Sequence, residues 1–134
     1  FPYTTLFRSI AAKGKPSITT YEVLEEAGGY SLLRFKILTG RTHQIRVHMK
    51  FLGNPILCDE LYGSGEPLFL SSVKRKNFRL SKSEDEERPI LGRLALHAHI
   101  LILKSPSGNE LTLEAPLPKD IRASLNQLKK WGNQ

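Results

Sequence analysis

The chain has 134 residues, 40% of them hydrophobic, and a formal net charge of +7. That length suits one modest globular domain or part of a larger one, and the charge favours a polyanionic partner without specifying a fold. A single cysteine, Cys58, excludes an internal disulfide framework and fits a reducing, cytoplasmic compartment; no apolar run approaches the roughly 18 to 20 residues of a membrane span, and nothing at the start reads as a signal peptide.

Phe1 to Ser9, FPYTTLFRS, is identical to one translation frame of a widely used sequencing-adapter oligonucleotide. It is set aside as foreign sequence, and the authentic chain is expected from about Ile10, with natural upstream residues missing. A natural arm would instead pack Phe1, Tyr3, Leu6 and Phe7 on a core. Gly14-Lys15-Pro16 marks a turn into Ser17 to Leu24, where Thr19, Tyr21 and Val23 share a face at period two. Ala27-Gly28-Gly29 supplies the next turn. Tyr30 to Leu38 then sets Leu33, Phe35 and Ile37 on one face and Arg34 and Lys36 on the other. The two runs predict an antiparallel hairpin with one buried face.

Thr39-Gly40 breaks the strand, and a helix is predicted from about Thr42 to Leu52, with Thr42 as N-cap, Gly53 as its stop and Pro55 just beyond. Residues 54 to 72 read as irregular. The basic residues Lys74, Arg75, Lys76, Arg79 and Lys82 are followed by the acidic run Glu84 to Glu87; this mixed-charge segment, within a charged insertion at about 65–92, is expected to be exposed and mobile, with an RNA clamp as the alternative. Leu94 to Leu103, LALHAHILIL, predicts a strand buried on both faces. Pro106-Ser107-Gly108-Asn109 turns into a short strand from Glu110 to Ala115. A last helix from about Asp120 carries Ile121, Leu125 and Leu128 at helical spacing, with Trp131 one turn on. Strands and helices in this order give an α+β fold with a mainly antiparallel sheet.

The segment TGRTHQIRVHM, Thr39 to Met49, carries the densest chemistry. On a helix, Ile45, Met49 and Leu52 form an apolar stripe, and Arg46, Lys50 and His43 form a basic face beside it. Arg41 and Thr42 sit at the helix start, where free backbone amides favour an anion. A guanidinium there can grip a phosphate or carboxylate in a planar, bidentate way. A polar face that is merely wet accounts for the same residues. No metal site is expected: His43 and His48 are not placed on one face of a helix, and His97 and His99 share a strand face without a Cys or carboxylate cluster. The histidines are expected in a polar network or against RNA.

Four stretches carry a resemblance: GKPSITTYEVLE from Gly14, LTGRTHQIRVHMKFLGNPILCDELYG from Leu38, RLALHAHIL from Arg93, and LTLEAPLPKD from Leu111. In order and spacing they resemble the RluA-type pseudouridine synthases, from about Lys13 to the end of the chain, with looser matching over Gly65 to Gly92. The resemblance implies isomerisation of uridine to pseudouridine in ribosomal or transfer RNA, without metal or organic cofactor, by a cytoplasmic enzyme that is monomeric when full length. It implies the pseudouridine synthase fold, a mixed sheet with flanking helices, present here in part over 10–134. Extrusion of the nucleotide into a pocket is part of such chemistry.

By this resemblance Arg46 is the partner of the catalytic aspartate, whose ionised form its charge would favour. Leu94 lines the uracil pocket, and Arg41, Thr42, His43, Gln44 and Lys50 contact RNA or shape the site. Tyr62 reads as packing or loop structure. The HRLD-type motif and following TSG that carry the family's aspartate are missing from these 134 residues. Asp59, Asp85 and Asp120 do not stand in that context. The chain is therefore expected to be inactive alone, with Arg46 lacking its partner and with an exposed sheet edge. Two other readings remain: a non-catalytic basic RNA-binding module, and a metal-dependent hydrolase using the histidines.

Overall fold

A computed structural model describes residues 16–80 and 86–132, together with the backbone of a strand at 4–8. The turn expected at Gly14-Lys15, and the charges of Lys82, Glu84 and Asp85, lie outside the described residues. Three strands form one antiparallel sheet in the order β1 (Thr4–Arg8), β2 (Ser17–Ala27), β3 (Tyr30–Ile37). The segment set aside as foreign thus holds β1, paired along the outer edge of β2 from Arg8 opposite Ser17 to Thr4 opposite Tyr21. Backbone pairing of this kind asks little of side-chain identity.

The β2–β3 hairpin follows the predicted alternation. Thr19, Tyr21 and Val23 stand opposite Ile37, Phe35 and Leu33, and the Tyr21 and Phe35 rings lie 6.3 Å apart. Gly28 and Gly29 both take positive φ, 58° and 81°, as a tight two-residue hairpin turn requires. A bulge between Val23 and Glu25 shifts the register and lengthens β2 to Ala27. The predicted buried face is covered only in part: Thr19 and Ala27 are buried, whereas Val23 and Ile37 are about half exposed.

The second element group diverges further from expectation. Helix α1 runs Gln44–Phe51, and its N-cap is His43 in the left-handed region, not Thr42. Gly53, with φ of 82°, does stop it, and its N–H donates to the Lys50 carbonyl. The stretches on either side of the mixed-charge segment lend core residues: Leu68 and Leu91 bridge in antiparallel fashion, and Val73 is buried on the short helix α2 (Leu70–Lys74), while Lys74 to Leu80 are exposed or half-buried. Apolar spacing was too sparse there to be seen beside so many charges.

Leu94 to Leu103 is the clearest correction. Only β4 (Ile100–Lys104) is a strand, paired with β5 (Glu110–Glu114), and every residue of both is exposed. The apolar run describes a strand suited to cover on both faces, yet β4 is exposed throughout, while Ala95 ahead of it packs against the core. Helix α3 (Lys119–Trp131) meets expectation, burying Ile121, Leu125 and Leu128 against Ala27, Cys58, Leu68, Val73 and Leu91. Its C-terminal Gly132 abuts Gly28 so closely that a Cβ there would lie 2.6 Å from the Gly28 Cα. Glu25 pairs with Lys129 at 2.8 Å, and Arg93 clamps Asp120 through two hydrogen bonds of 2.8 and 2.9 Å. These contacts tie α3 to the hairpin and to the segment that leads to β4.

Candidate active site

Helix α1 is set on β2 by a buried polar network. Gln44 is 6% exposed, and all four of its amide hydrogen-bonding positions are used. Its Oε1 accepts from Thr39 Oγ1 (2.8 Å) and from the Arg41 amide (3.0 Å). Its Nε2 donates to the Ile18 carbonyl and to Thr19 Oγ1, both at 2.9 Å. One turn along, the buried His48 ring lies 3.0 Å from Ser17 Oγ through Nε2 and 2.8 Å from Thr19 Oγ1 through Nδ1. Gln44 therefore shapes the site and has no capacity left for RNA, and His48 belongs to a polar network as expected of a histidine here.

The opposite side of α1 presents the predicted basic face. His43, Arg46 and Lys50 all converge on Tyr62. The Tyr62 hydroxyl is 3.0 Å from His43 Nδ1, and the two rings meet edge to face at 5.6 Å. The Arg46 guanidinium lies 5.1 Å from the centre of the Tyr62 ring, and Lys50 Nζ 5.9 Å. Tyr62, read from sequence as packing or loop structure, touches all three residues of this face. Arg41 and Thr42 are exposed at the loop before α1.

Arg46 is not left unpaired, because an aspartate other than the one the resemblance assigns to it takes its guanidinium. Its Nε donates to Asp59 Oδ2 at 2.9 Å and its Nη2 to Asp59 Oδ1 at 2.8 Å, a fork-on-fork pair. Asp59 is 1% exposed. Its Oδ1 also accepts from the backbone amides of Leu61 and Tyr62, each at 3.0 Å. The pairing needed the tight turn after Pro55, entered through Cys58 in the left-handed region, with φ of 63°. His43 and Cys58 are both non-glycine residues at positive φ, each costing about 1–3 kcal/mol, and they flank the two ends of this constellation. Sequence spacing carried one signal for Asp59, its place in CDELYG within the matched stretch, but no pattern that tied it to Arg46.

Hydrogen bonding from Arg46 holds the Asp59 carboxyl well below the usual carboxylate range, against the opposing effect of burial, with the Tyr62 and Leu61 amides adding to the lowering. The same contact raises Arg46. A depressed folded-state pKa stabilises the fold above the unfolded aspartate value of about 3.9, and that contribution is lost as pH falls toward the folded value. Urea midpoints of the wild-type chain should therefore decline below about pH 4 more steeply than those of Asp59→Asn. Asp120, lowered by Arg93, is common to both proteins and cancels in the comparison.

With both oxygens engaged and no access to solvent, Asp59 is ill placed to attack a substrate. Asp120 is committed to Arg93. Leu94 is half-buried, and the neighbouring Ala95 amide donates to the Leu57 carbonyl at 3.0 Å, which brings this segment ahead of β4 beside the turn that carries Asp59. His97 and His99 face Ala115 and Glu114 on the far hairpin. Among the described residues no three or more His, Cys, Asp or Glu side chains gather as metal ligands, and no helix is long and apolar enough to cross a membrane.

Comparison with known proteins bears on this arrangement. The family described as RNA pseudouridylate synthase matches residues 3–51, which include β2, β3 and α1. The chain is 40% identical over 130 residues to an uncharacterized RNA pseudouridine synthase of Chlorobaculum parvum, covering 96% of this chain and 36% of that protein. It is 38% identical over 125 residues to ribosomal large subunit pseudouridine synthase D of Vibrio parahaemolyticus, covering 91% of this chain and 35% of that protein. For the synthase of the same name from Haemophilus influenzae the identity is 41% over 117 residues, with 87% and 34% covered. The chain spans about a third of the length of these curated relatives.

Proposed function

Because the chain belongs to the RNA pseudouridine synthase family, we propose that it forms the arginine-bearing portion of an enzyme that isomerises uridine to pseudouridine in RNA. The attacking aspartate then comes from the part of the relatives' length that this chain does not span. One observation carries the reading: Arg46, on the helix of the matched segment, is held at the edge of a packed core with its Nη1 unused by any described residue. A carboxylate brought to that edge would be kept ionised and aimed. Ribosomal RNA is the favoured substrate, since two of the relatives above are named for the large ribosomal subunit.

Arg41, Thr42, His43 and Lys50 lie on the exposed side of the site and are the residues we assign to RNA contact, while Leu94 is assigned to the uracil pocket. The uncovered apolar hairpin β4–β5 fits the same reading, because a larger mixed sheet would give it cover. No cofactor is assigned. The lone cysteine, free and buried, fits the cytoplasmic setting we propose for the enzyme.

The decisive experiment joins the aspartate-bearing portion of a relative ahead of residue 10 and incubates the product with transcribed ribosomal and transfer RNA. Nucleoside mass spectrometry should find pseudouridine with the joined protein and none with the chain alone. A soluble, folded joined protein that leaves every RNA unmodified would overturn the assignment. If it still retains RNA on a filter, the basic binding module is the better description.

A further inference from the structure

We infer that Asp59 and Tyr62 are positioning residues for Arg46, mooring its guanidinium by one edge and one face so that only its outer side, Nη1 with the second N–H of Nη2, is left to meet a second acceptor. The mooring stands on the geometry alone, whereas the identity of the second acceptor as the attacking carboxylate rests on the function proposed above.

Three features make Asp59 a fixed mooring, not a stand-in that a second carboxylate would displace. Its Oδ1 is held by the amides of Leu61 and Tyr62 independently of Arg46. Its backbone carbonyl accepts from the Gly63 amide at 2.9 Å, closing the turn around it. Gly63 itself is closely packed, since a Cβ would lie 3.1 Å from that carbonyl oxygen and 3.2 Å from Pro55, so a side chain there would press on the turn. The carboxylate cannot swing away without opening this turn.

Tyr62 then closes the third direction. Its ring covers the guanidinium at 5.1 Å, and its hydroxyl is held at 3.0 Å by His43, the residue that starts α1. Both ends of the contact are thereby set by the same helix. A side chain with four flexible torsions is reduced to a single presentation, which is how a supporting shell gives a reactive group its aim. Charge adds a second consequence. Asp59 already neutralises Arg46, so a second acceptor meets a directed donor edge on a balanced pair instead of an isolated cation.

The test has an arm that needs no activity. In the wild-type chain, exchange of the Arg46 Nε–H proton with solvent, followed by nitrogen-15 NMR, should be slow compared with exposed Arg41. In Asp59→Asn it should quicken by about tenfold or more, because the amide keeps its oxygen for the Leu61 and Tyr62 amides but offers no acceptor to Nε. Backbone amide signals of β2 and β3 should stay in place and report an intact fold. Exchange in the wild-type chain as fast as that of Arg41, or unchanged by Asp59→Asn, overturns the mooring.

The second arm uses the joined protein. Asp59→Asn should lower kcat by about a hundredfold with KM little altered, as expected for misplacement of a group near the chemistry. Tyr62→Leu should act in the same direction, and Tyr62→Phe, which keeps the ring, should restore much of the loss. A rise in KM with kcat unchanged would count against positioning. If the wild-type joined protein makes no pseudouridine, the proposed function fails while the exchange data still decide the mooring.

Discussion

In the joined synthase, Arg46→Ala is expected to lower kcat for pseudouridine formation by about 100- to 1,000-fold, the range seen when one preorganised electrostatic donor is removed. The loss follows from what the guanidinium supplies. It spans the distance between the buried Asp59 and the open side of the site, and its side chain is 18% exposed where Asp59 is not exposed at all. Alanine removes the donor edge and also strands the Asp59 charge, so the fold itself could suffer. Arg46→Lys separates the two effects. An ammonium keeps a positive charge beside Asp59 but cannot donate from two rigid nitrogens and still present a third. Melting of the lysine variant should therefore lie close to wild type, with kcat recovered only in small part. A lysine variant with wild-type kcat would show that charge alone suffices and that the fork has no role.

Gln44→Leu is expected to remove about 3–4 kcal/mol of stability, at roughly 1 kcal/mol for each of the four hydrogen bonds it breaks. That is a large share of the 5–15 kcal/mol typical of a folded domain. Leucine is close in size, so packing changes little and the effect isolates the polar network. Thr39 and Thr19 each lose their bond to Gln44, although the Ile18 amide still donates to Thr39 Oγ1 and ties β2 to the loop before α1. The Ile18 carbonyl is partly protected because it also accepts from the Leu38 amide at 3.0 Å. Urea denaturation should show a lowered midpoint with little change in slope. An unchanged midpoint would mean that α1 is seated by its apolar stripe, with the network contributing nothing measurable.

Local rules made much of the molecule legible. The hairpin could be read because alternation over Thr19–Val23 and Leu33–Ile37 meets a turn, Gly28-Gly29, that only a narrow set of residues forms easily. The last helix could be read because Ile121, Leu125 and Leu128 repeat at its own period. The basic face of α1 followed from the same periodicity, and His43, Arg46 and Lys50 do meet one ring. The start of α1 was misplaced because Thr42 has capping chemistry, yet the chain enters the helix through a left-handed His43 that no propensity predicts.

Burial was harder to read than periodicity. Leu94 to Leu103 has the composition of an interior strand, but interior is a property of what lies against it, and nothing among the described residues covers β4 or β5. Conversely, Leu68, Val73 and Leu91 lie in or beside a charged stretch and are core residues, because the chain folds back and brings them together.

The sequence by itself determined which faces of the elements are apolar or basic, where the hairpin turns, and which family the chain resembles, since all three depend on residues near one another along the chain. Tertiary structure alone decided what Arg46 touches. Asp59 and Tyr62 lie 13 and 16 residues beyond it, outside any helical or strand period, and they reach it only through the turn that Cys58 and Gly63 allow. A bidentate pair requires two planes to coincide within hydrogen-bonding distance, and that coincidence is set by backbone geometry, not by the order of the letters.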